Sequence, residues 1–183
     1  MKLAIKYTLI HFTFFLISLF TINSFSQNIA ERNVDKDGDI FIQTTKDTIA
    51  KGENSCLIRG VIYTSDSISY FGNVLYLKVP RPIFLSSNDM VVFHLENGEI
   101  IERPVMSDGE FYPEEANIMV TVLLKKRELL KLKKTSINSI NLVNKRFQHT
   151  IVIDKPFQAT YTQLADLLLS TNVYDTRLTK NKE

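Results

Sequence analysis

Residues 91–102, VVFHLENGEIIE, contain the strongest local structural signal in this chain. Apolar and polar side chains alternate before the dipeptide Asn97-Gly98, and a second short apolar run returns after it. Asn-Gly flanked by alternating apolar residues is typical of tight turns in β-hairpins. This stretch therefore predicts two antiparallel strands joined by a short loop.

Two registers of this hairpin are open. A two-residue turn would place the like charges of Glu96 and Glu99 opposite each other, which costs stability. A three-residue loop with Gly98 in the left-handed conformation sets Phe93 opposite Ile101 instead. We favour the three-residue loop.

Alternating apolar residues continue on both sides of the hairpin and predict further strands. Gly60 lies inside one of these strands and marks a bulge or a close contact. The run from 118 to 124 is almost entirely apolar and predicts a strand that is buried on both faces. Besides the hairpin, strands are expected from Ile40 onward and over 56–62, 70–79, 118–124, 137–143 and 147–153.

Two helices are expected between and after these strands. Residues 125–134 hold good helix formers for two or three turns. Pro156 suits a first helical position, and a stripe with helical spacing follows it: Phe157, Tyr161, Leu164 and Leu168. We expect this stripe to cover an open sheet face or a barrel mouth.

These patterns predict a mainly β fold, an antiparallel β-sandwich or partly closed barrel of about seven to eight strands. A short internal helix and a packed C-terminal helix complete it. Residues 39–170 are expected to form one β-rich domain, with a flexible segment over 27–38 and a polar tail over 171–183.

Residues 1–26 have the three-part layout of a secretory signal peptide. They begin with two lysines, Lys2 and Lys6, and continue with an apolar core over 7–20. They end with small residues, among them Ser24 and Ser26. We expect cleavage before Gln27 and export of the remainder to a periplasm or outside the cell, with no stable membrane insertion.

The overall charge gives no argument for a nucleic-acid or anionic-membrane partner. The full chain has 22 basic and 20 acidic residues, and two of the basic residues belong to the leader. The remainder is formally neutral, so overall charge gives no support for binding to nucleic acid. With 44% hydrophobic and 23% charged residues, the composition also excludes a largely disordered chain.

The residues from 33 to 40 partly resemble a calcium-binding loop. Oxygen-bearing side chains recur at alternate positions with a glycine among them, at Asn33, Asp35, Asp37 and Asp39. The twelfth loop position is Thr44 instead of the bidentate glutamate that such loops use. An acidic turn that leads into a strand explains the same residues, so calcium is a weak expectation, and no other cofactor is indicated.

Acidic residues near the hairpin offer the paired carboxylates that glycoside hydrolysis requires. The candidates for such a hydrolase, which would act on glycans of the envelope, are Glu96, Glu99, Glu102, Glu114 and Glu115. Motifs of serine hydrolases, zinc proteases and nucleotide-binding loops do not occur in the chain.

Other reactive residue types are scarce. His94 is expected on a solvated strand face, and His149 on an apolar face beside Phe147 and Ile151. Cys56 is expected to be buried and inert. In the absence of tryptophan, tyrosines could stack against sugars, namely Tyr63, Tyr70, Tyr76 and Tyr112.

A basic run begins at Lys125-Lys126-Arg127 and continues to Lys134. It is expected to be a solvated face, and contact with an anionic glycan or an envelope lipid is the alternative. Together with the leader, these features favour an exported, non-enzymatic β-rich module that binds a protein or cell-envelope partner through its sheet faces, edges or loops.

Overall fold

A computed structural model describes residues 28–78, 85–106, 110–112 and 117–175. Within these ranges eleven strands form two antiparallel sheets, one of seven strands and one of four. The predicted leader, 1–26, and the candidate carboxylates Glu114 and Glu115 lie outside the described residues.

The larger sheet has the order β1-β2-β4-β5-β9-β8, with β3 paired to β4 beside β2. All its neighbouring strands are antiparallel. The bounds are β1 Ile29–Val34, β2 Ile40–Thr44, β3 Asp47–Ala50, β4 Cys56–Ser65, β5 Ile68–Lys78, β8 Glu110–Tyr112 and β9 Asn117–Leu124.

The smaller sheet has the order β11-β10-β6-β7. Its strands are β6 Met90–Leu95, β7 Ile100–Pro104, β10 Ile137–Val143 and β11 Gln148–Val152. Two α-helices complete the fold, α1 Lys126–Leu132 after β9 and α2 Gln158–Ser170 near the C-terminus. Pro156 lies in a 3-10 turn, Lys155–Phe157, directly before α2.

The hydrophobic core lies between the two sheets. Ile62 and Leu75 of the larger sheet and Phe93 and Ile140 of the smaller sheet are buried in it. Along one side the sheets meet at an isolated antiparallel bridge between Val105 and Val122. The fold is thus mainly β with two packed antiparallel sheets, as in a β-sandwich.

Helix α2 contacts the inner faces of both sheets. The predicted stripe of Phe157, Tyr161, Leu164 and Leu168 is buried. The Tyr161 ring meets Phe93 of the smaller sheet edge to face at 5.9 Å, and its hydroxyl accepts a hydrogen bond from Asn73 of the larger sheet at 2.8 Å. The stripe therefore fills the space between the sheets, which explains why Gly60 of β4 carries no side chain there.

The hairpin has the favoured three-residue loop. Phe93 pairs with Ile101, the Leu95 amide donates to the Glu99 carbonyl at 2.9 Å, and Gly98 has φ +83°. This register keeps Glu96 and Glu99 from facing each other across the turn.

Three strands, β1, β3 and β8, add to those expected from the sequence. Strand β1 lies within 27–38, the segment expected to be flexible. Its apolar and polar residues do not alternate, but it completes a hydrogen-bonded ladder with β2, and the Arg32 side chain donates to the Val173 carbonyl at 3.2 Å. Pairing with neighbours orders this strand, and periodicity alone does not reveal it.

Strand β9 differs from its prediction on one face. Ile118, Val120 and Val122 are buried against the core as expected, but Leu123 on the opposite face is 37% exposed. No described segment covers that face completely. Neither α-helix in the described ranges has the length and apolarity needed to cross a bilayer.

Candidate functional site: an apolar groove on the larger sheet

The outer face of the larger sheet exposes large apolar side chains to solvent. The exposed fractions are 37% for Phe41, 41% for Tyr63, 45% for Tyr70, 58% for Met106 and 37% for Leu123. They surround a cavity of about 680 Å³, which falls in the range of small-ligand sites. We call this cavity the groove; its lining is Phe41, Val61, Tyr63, Ser65, Tyr70, Gly72, Val74, Met106, Thr121 and Leu123.

An aromatic row forms one wall of the groove. The register sets Phe41 of β2 beside Tyr63 of β4, and Tyr63 beside Tyr70 of β5. The two tyrosine rings stack with their centroids 6.3 Å apart. Three neighbouring strands thus contribute one continuous wall across the sheet.

The floor of the groove is the next row of paired residues. Gly72 of β5 lies between Val61 of β4 and Leu123 of β9. A Cβ atom at Gly72 would lie 2.7 Å from the Cγ2 atom of Val61, so only glycine fits without a shift of its neighbour. A glycine inside a strand often marks close approach of a ligand or another backbone, and here it keeps the floor low.

The opposite wall is formed by Val74 and Thr121, which pair across β5 and β9. Met106 extends this wall, because its amide donates to the Thr121 carbonyl at 2.8 Å. Tyr70 and Val74 are four residues apart on one strand, so the walls are separated by about 13 Å between backbones.

A polar network closes the end of the groove at β2. The Arg59 guanidinium donates to the Gln43 side-chain oxygen, and the Gln43 amide donates to the Glu31 carboxylate. Gln43 pairs with Val61 and so continues the floor row. The groove therefore ends in hydrogen-bonded polar groups on this side.

A second cavity of about 880 Å³ lies beside the other end of the groove. The two cavities share Tyr70, Met106 and Leu123. Because Lys125 and Lys126 also line the second cavity, we call it the basic cavity. The groove thus adjoins a more polar, cationic space.

Arg103 lines the basic cavity but already has a partner. Its guanidinium donates through two nitrogens to Glu128, with one of the two distances 2.8 Å. Glu128 also accepts the backbone amide of Lys125 at 2.9 Å. This bidentate pair fixes the start of α1 against β7 and neutralises the Arg103 charge.

The turn beside the groove contains the residues singled out for calcium. Asp35 accepts the backbone amides of Asp37 and Asp39, both at 2.9 Å, and Asn33 donates to Glu31 at 2.8 Å. In the described part of the chain no three His, Cys, Asp or Glu side chains are grouped to hold a metal ion. The Asp35 carboxylate accepts backbone hydrogen bonds within the turn between β1 and β2. Calcium binding stays a prediction that calorimetric titration can test.

Asp39 connects this turn to the groove. Its carboxylate accepts a hydrogen bond from the Tyr63 hydroxyl. Because that bond favours the protonated phenol, it holds the pKa of Tyr63 above its ordinary value. The hydrogen bond thereby orients one ring of the aromatic wall.

The carboxylates proposed for a hydrolase are not drawn together at either cavity. Glu99 pairs with Lys131 at 3.0 Å, Glu96 is exposed in the hairpin loop, and Glu102 is exposed in β7 on the smaller sheet. The described lining of the groove and of the basic cavity contains no Asp or Glu. The hydrolase alternative gains no support from these positions.

The remaining candidates lie apart from the groove. His94 is hydrogen-bonded to Asn141 at 3.0 Å. His149 lies on the inner side of β11 with a buried ring nitrogen, and burial lowers its pKa. Burial also raises the pKa of the Cys56 thiol far above its ordinary value, as expected of an inert cysteine.

Of the four tyrosines proposed for sugar stacking, two lie in the groove and two lie elsewhere. Tyr63 and Tyr70 belong to the groove, whereas Tyr76 lies beneath the Lys46 ammonium at 3.9 Å and Tyr112 lies in β8. Phe41, Gly72 and Leu123 were not identified from the sequence. The sequence signal that could have indicated the groove was Gly72 within a predicted strand, together with the strand over 118–124 that is apolar on both faces.

Comparison of the chain with protein-family models, with curated proteins and with solved structures gave no significant match.

Proposed function

We propose that this protein is a non-enzymatic binding module that holds the apolar part of a protein or cell-envelope partner in the groove. The observation that carries the proposal is the exposed, concave and apolar outer face of the larger sheet around Gly72. Exposed apolar patches rimmed by polar groups mark interaction sites in soluble proteins.

Two features support binding over a structural role. An outer sheet face in a two-layer fold ordinarily carries polar side chains, yet Tyr70 and Leu123 are partly exposed here. Apolar surface left in water costs free energy, on the order of 25 cal/mol per Å². A partner that covers the groove recovers this free energy on binding.

The place of action follows from the predicted leader. Export through residues 1–26 would place the groove in a periplasm or outside the cell, where envelope lipids and exported proteins are available. This localisation belongs to the proposal, as does cleavage before Gln27.

Titration with the neutral dye Nile red tests the proposed function. The dye should bind saturably with a rise in fluorescence, and Leu123→Lys should weaken its binding about tenfold, because a charge then lies on the apolar floor. The control is Val152→Lys on the smaller sheet, where Val152 is 65% exposed; it should bind the dye as the unmodified protein does.

The proposal fails if the dye does not bind saturably. It also fails if the two lysine variants, both shown to be folded by circular dichroism, lose binding to the same extent. A selective loss in Leu123→Lys supports the groove as the site.

A further inference from the structure

We propose that the occupant of the groove is a single-chain fatty acid, with its alkyl chain along the floor and its carboxylate near Lys125 and Lys126. This inference rests on the proposed function and names the ligand of the same site. It follows from the residues that line both cavities and from the difference in charge between the two ends of the groove.

The floor is long and narrow. Its row of paired residues runs from Gln43 of β2 through Val61 and Gly72 to Leu123 of β9. Three strand spacings give a length of about 14 Å. A row one residue wide between two walls accommodates one extended alkyl chain, whereas a lipid with two chains would require a second row.

The two ends of the groove differ in charge. At β2 one cation and one anion, Arg59 and Glu31, are both hydrogen-bonded to the neutral Gln43 side chain. At the opposite end Lys125 and Lys126 are exposed, and neither ammonium pairs with an acid among the described residues. An anionic head group is therefore complementary to the Lys125 end.

The choice of carboxylate follows from the side chains present. Bidentate recognition of a phosphate group favours arginine, and the one arginine that lines the basic cavity, Arg103, is held by Glu128. Two flexible lysines suit a small carboxylate. Tyr70 and Leu123 line both cavities and so connect the lysines with the floor of the groove.

The test measures displacement of Nile red by dodecanoate below its micellar concentration and by dodecanol below its solubility limit. The two probes share one alkyl chain and differ in the charge of the head group. We expect dodecanoate to bind about fivefold more tightly than dodecanol, since each exposed charge pair contributes up to about 1 kcal/mol. This preference should shrink at high salt.

Variants locate the head group. Lys125→Gln combined with Lys126→Gln should abolish the preference for dodecanoate over dodecanol. The matched control is Lys145→Gln combined with Lys155→Gln, two exposed lysines outside both cavities, which removes the same charge and should keep the preference.

Each outcome decides one of the two claims. Equal binding of the two probes, with no effect of Lys125→Gln and Lys126→Gln, overturns the fatty-acid inference but leaves an apolar groove that binds. No displacement by either probe, together with no saturable dye binding, overturns the groove itself.

Discussion

Arg103 and Glu128 form the best-shielded ion pair among the described residues, with side-chain exposures of 17% and 10%. Removal of one member leaves a poorly solvated charge, so we expect Glu128→Ala to lower the free energy of unfolding by about 3 kcal/mol. The loss also removes the acceptor of the Lys125 amide. Urea denaturation followed by circular dichroism measures the change.

The matched control is Glu99→Ala, which breaks the exposed pair with Lys131. Because solvent screens that pair, the expected loss is below about 1 kcal/mol. Equal losses in the two variants would show that the Arg103 pair contributes no more than a surface contact.

His149 predicts a pH dependence of stability. Burial lowers its pKa in the folded state, so the unfolded chain takes up the proton first as the pH falls through about 6.5. Stability is therefore lost below that pH until the folded protein also binds the proton. His149→Gln should show a shallower loss of unfolding free energy between about pH 8 and pH 5.

His94→Gln is the control for this comparison, since it leaves the buried ring in place and should keep the slope of the unmodified protein. If the unfolding free energy changes with pH equally in His149→Gln and in the unmodified protein, His149 is not the source of the pH dependence.

At this scale the sequence predicted well those residues that depend on strand alternation. His94 on the outer side, His149 on the inner side and the left-handed Gly98 follow from local pattern alone. The position of Gly72 in the groove does not, because it depends on which strands flank β5. That pairing joins residues distant in the chain, such as Gly72 and Leu123.

At the scale of elements, helix α2 depends on a close approach to β4. A Cβ atom at Gly60 would lie 2.6 Å from a methyl carbon of Leu164 and 2.9 Å from one of Leu168. We expect Gly60→Ala to lower the free energy of unfolding by about 1–3 kcal/mol through overpacking. The denaturation midpoint in urea reports the loss.

A double-mutant cycle distinguishes overpacking from an effect on the strand itself. Leu164→Ala removes the nearest methyl groups, so Gly60→Ala should cost less in that background. An unchanged cost would place the effect in β4 and not at the contact with the helix.

Strong periodicity accounts for the strands and the helix stripe that the sequence predicted. The same criterion misses β1, which lacks alternation, and β3 and β8, which have only four and three residues. It also assigns both faces of β9 to the core, because apolar residues of a binding face and of a core look alike in sequence. Only the layer arrangement distinguishes them.

At the scale of the whole molecule, we propose that the protein is exported. The protein isolated from its source should begin at Gln27, because the small residues Ser24 and Ser26 define the cut. Intact-mass spectrometry tests this directly. A mass that includes Met1 would contradict cleavage and the proposed location.

The sandwich itself was within reach of sequence reasoning, since turn signals and alternating strands restrict the fold class. The groove was not, because it arises from three rows of side chains that meet only when β2, β4, β5 and β9 are assembled. Its polar end at Gln43 and its cationic end at Lys125 likewise depend on strand order.

The most direct test of the groove is a map of backbone amide chemical shifts during titration with dodecanoate. The account predicts that the largest shifts lie at Val61, Gly72 and Leu123 on the larger sheet. Shifts confined to the smaller sheet, or an unchanged spectrum at a saturating concentration of the probe, would contradict it.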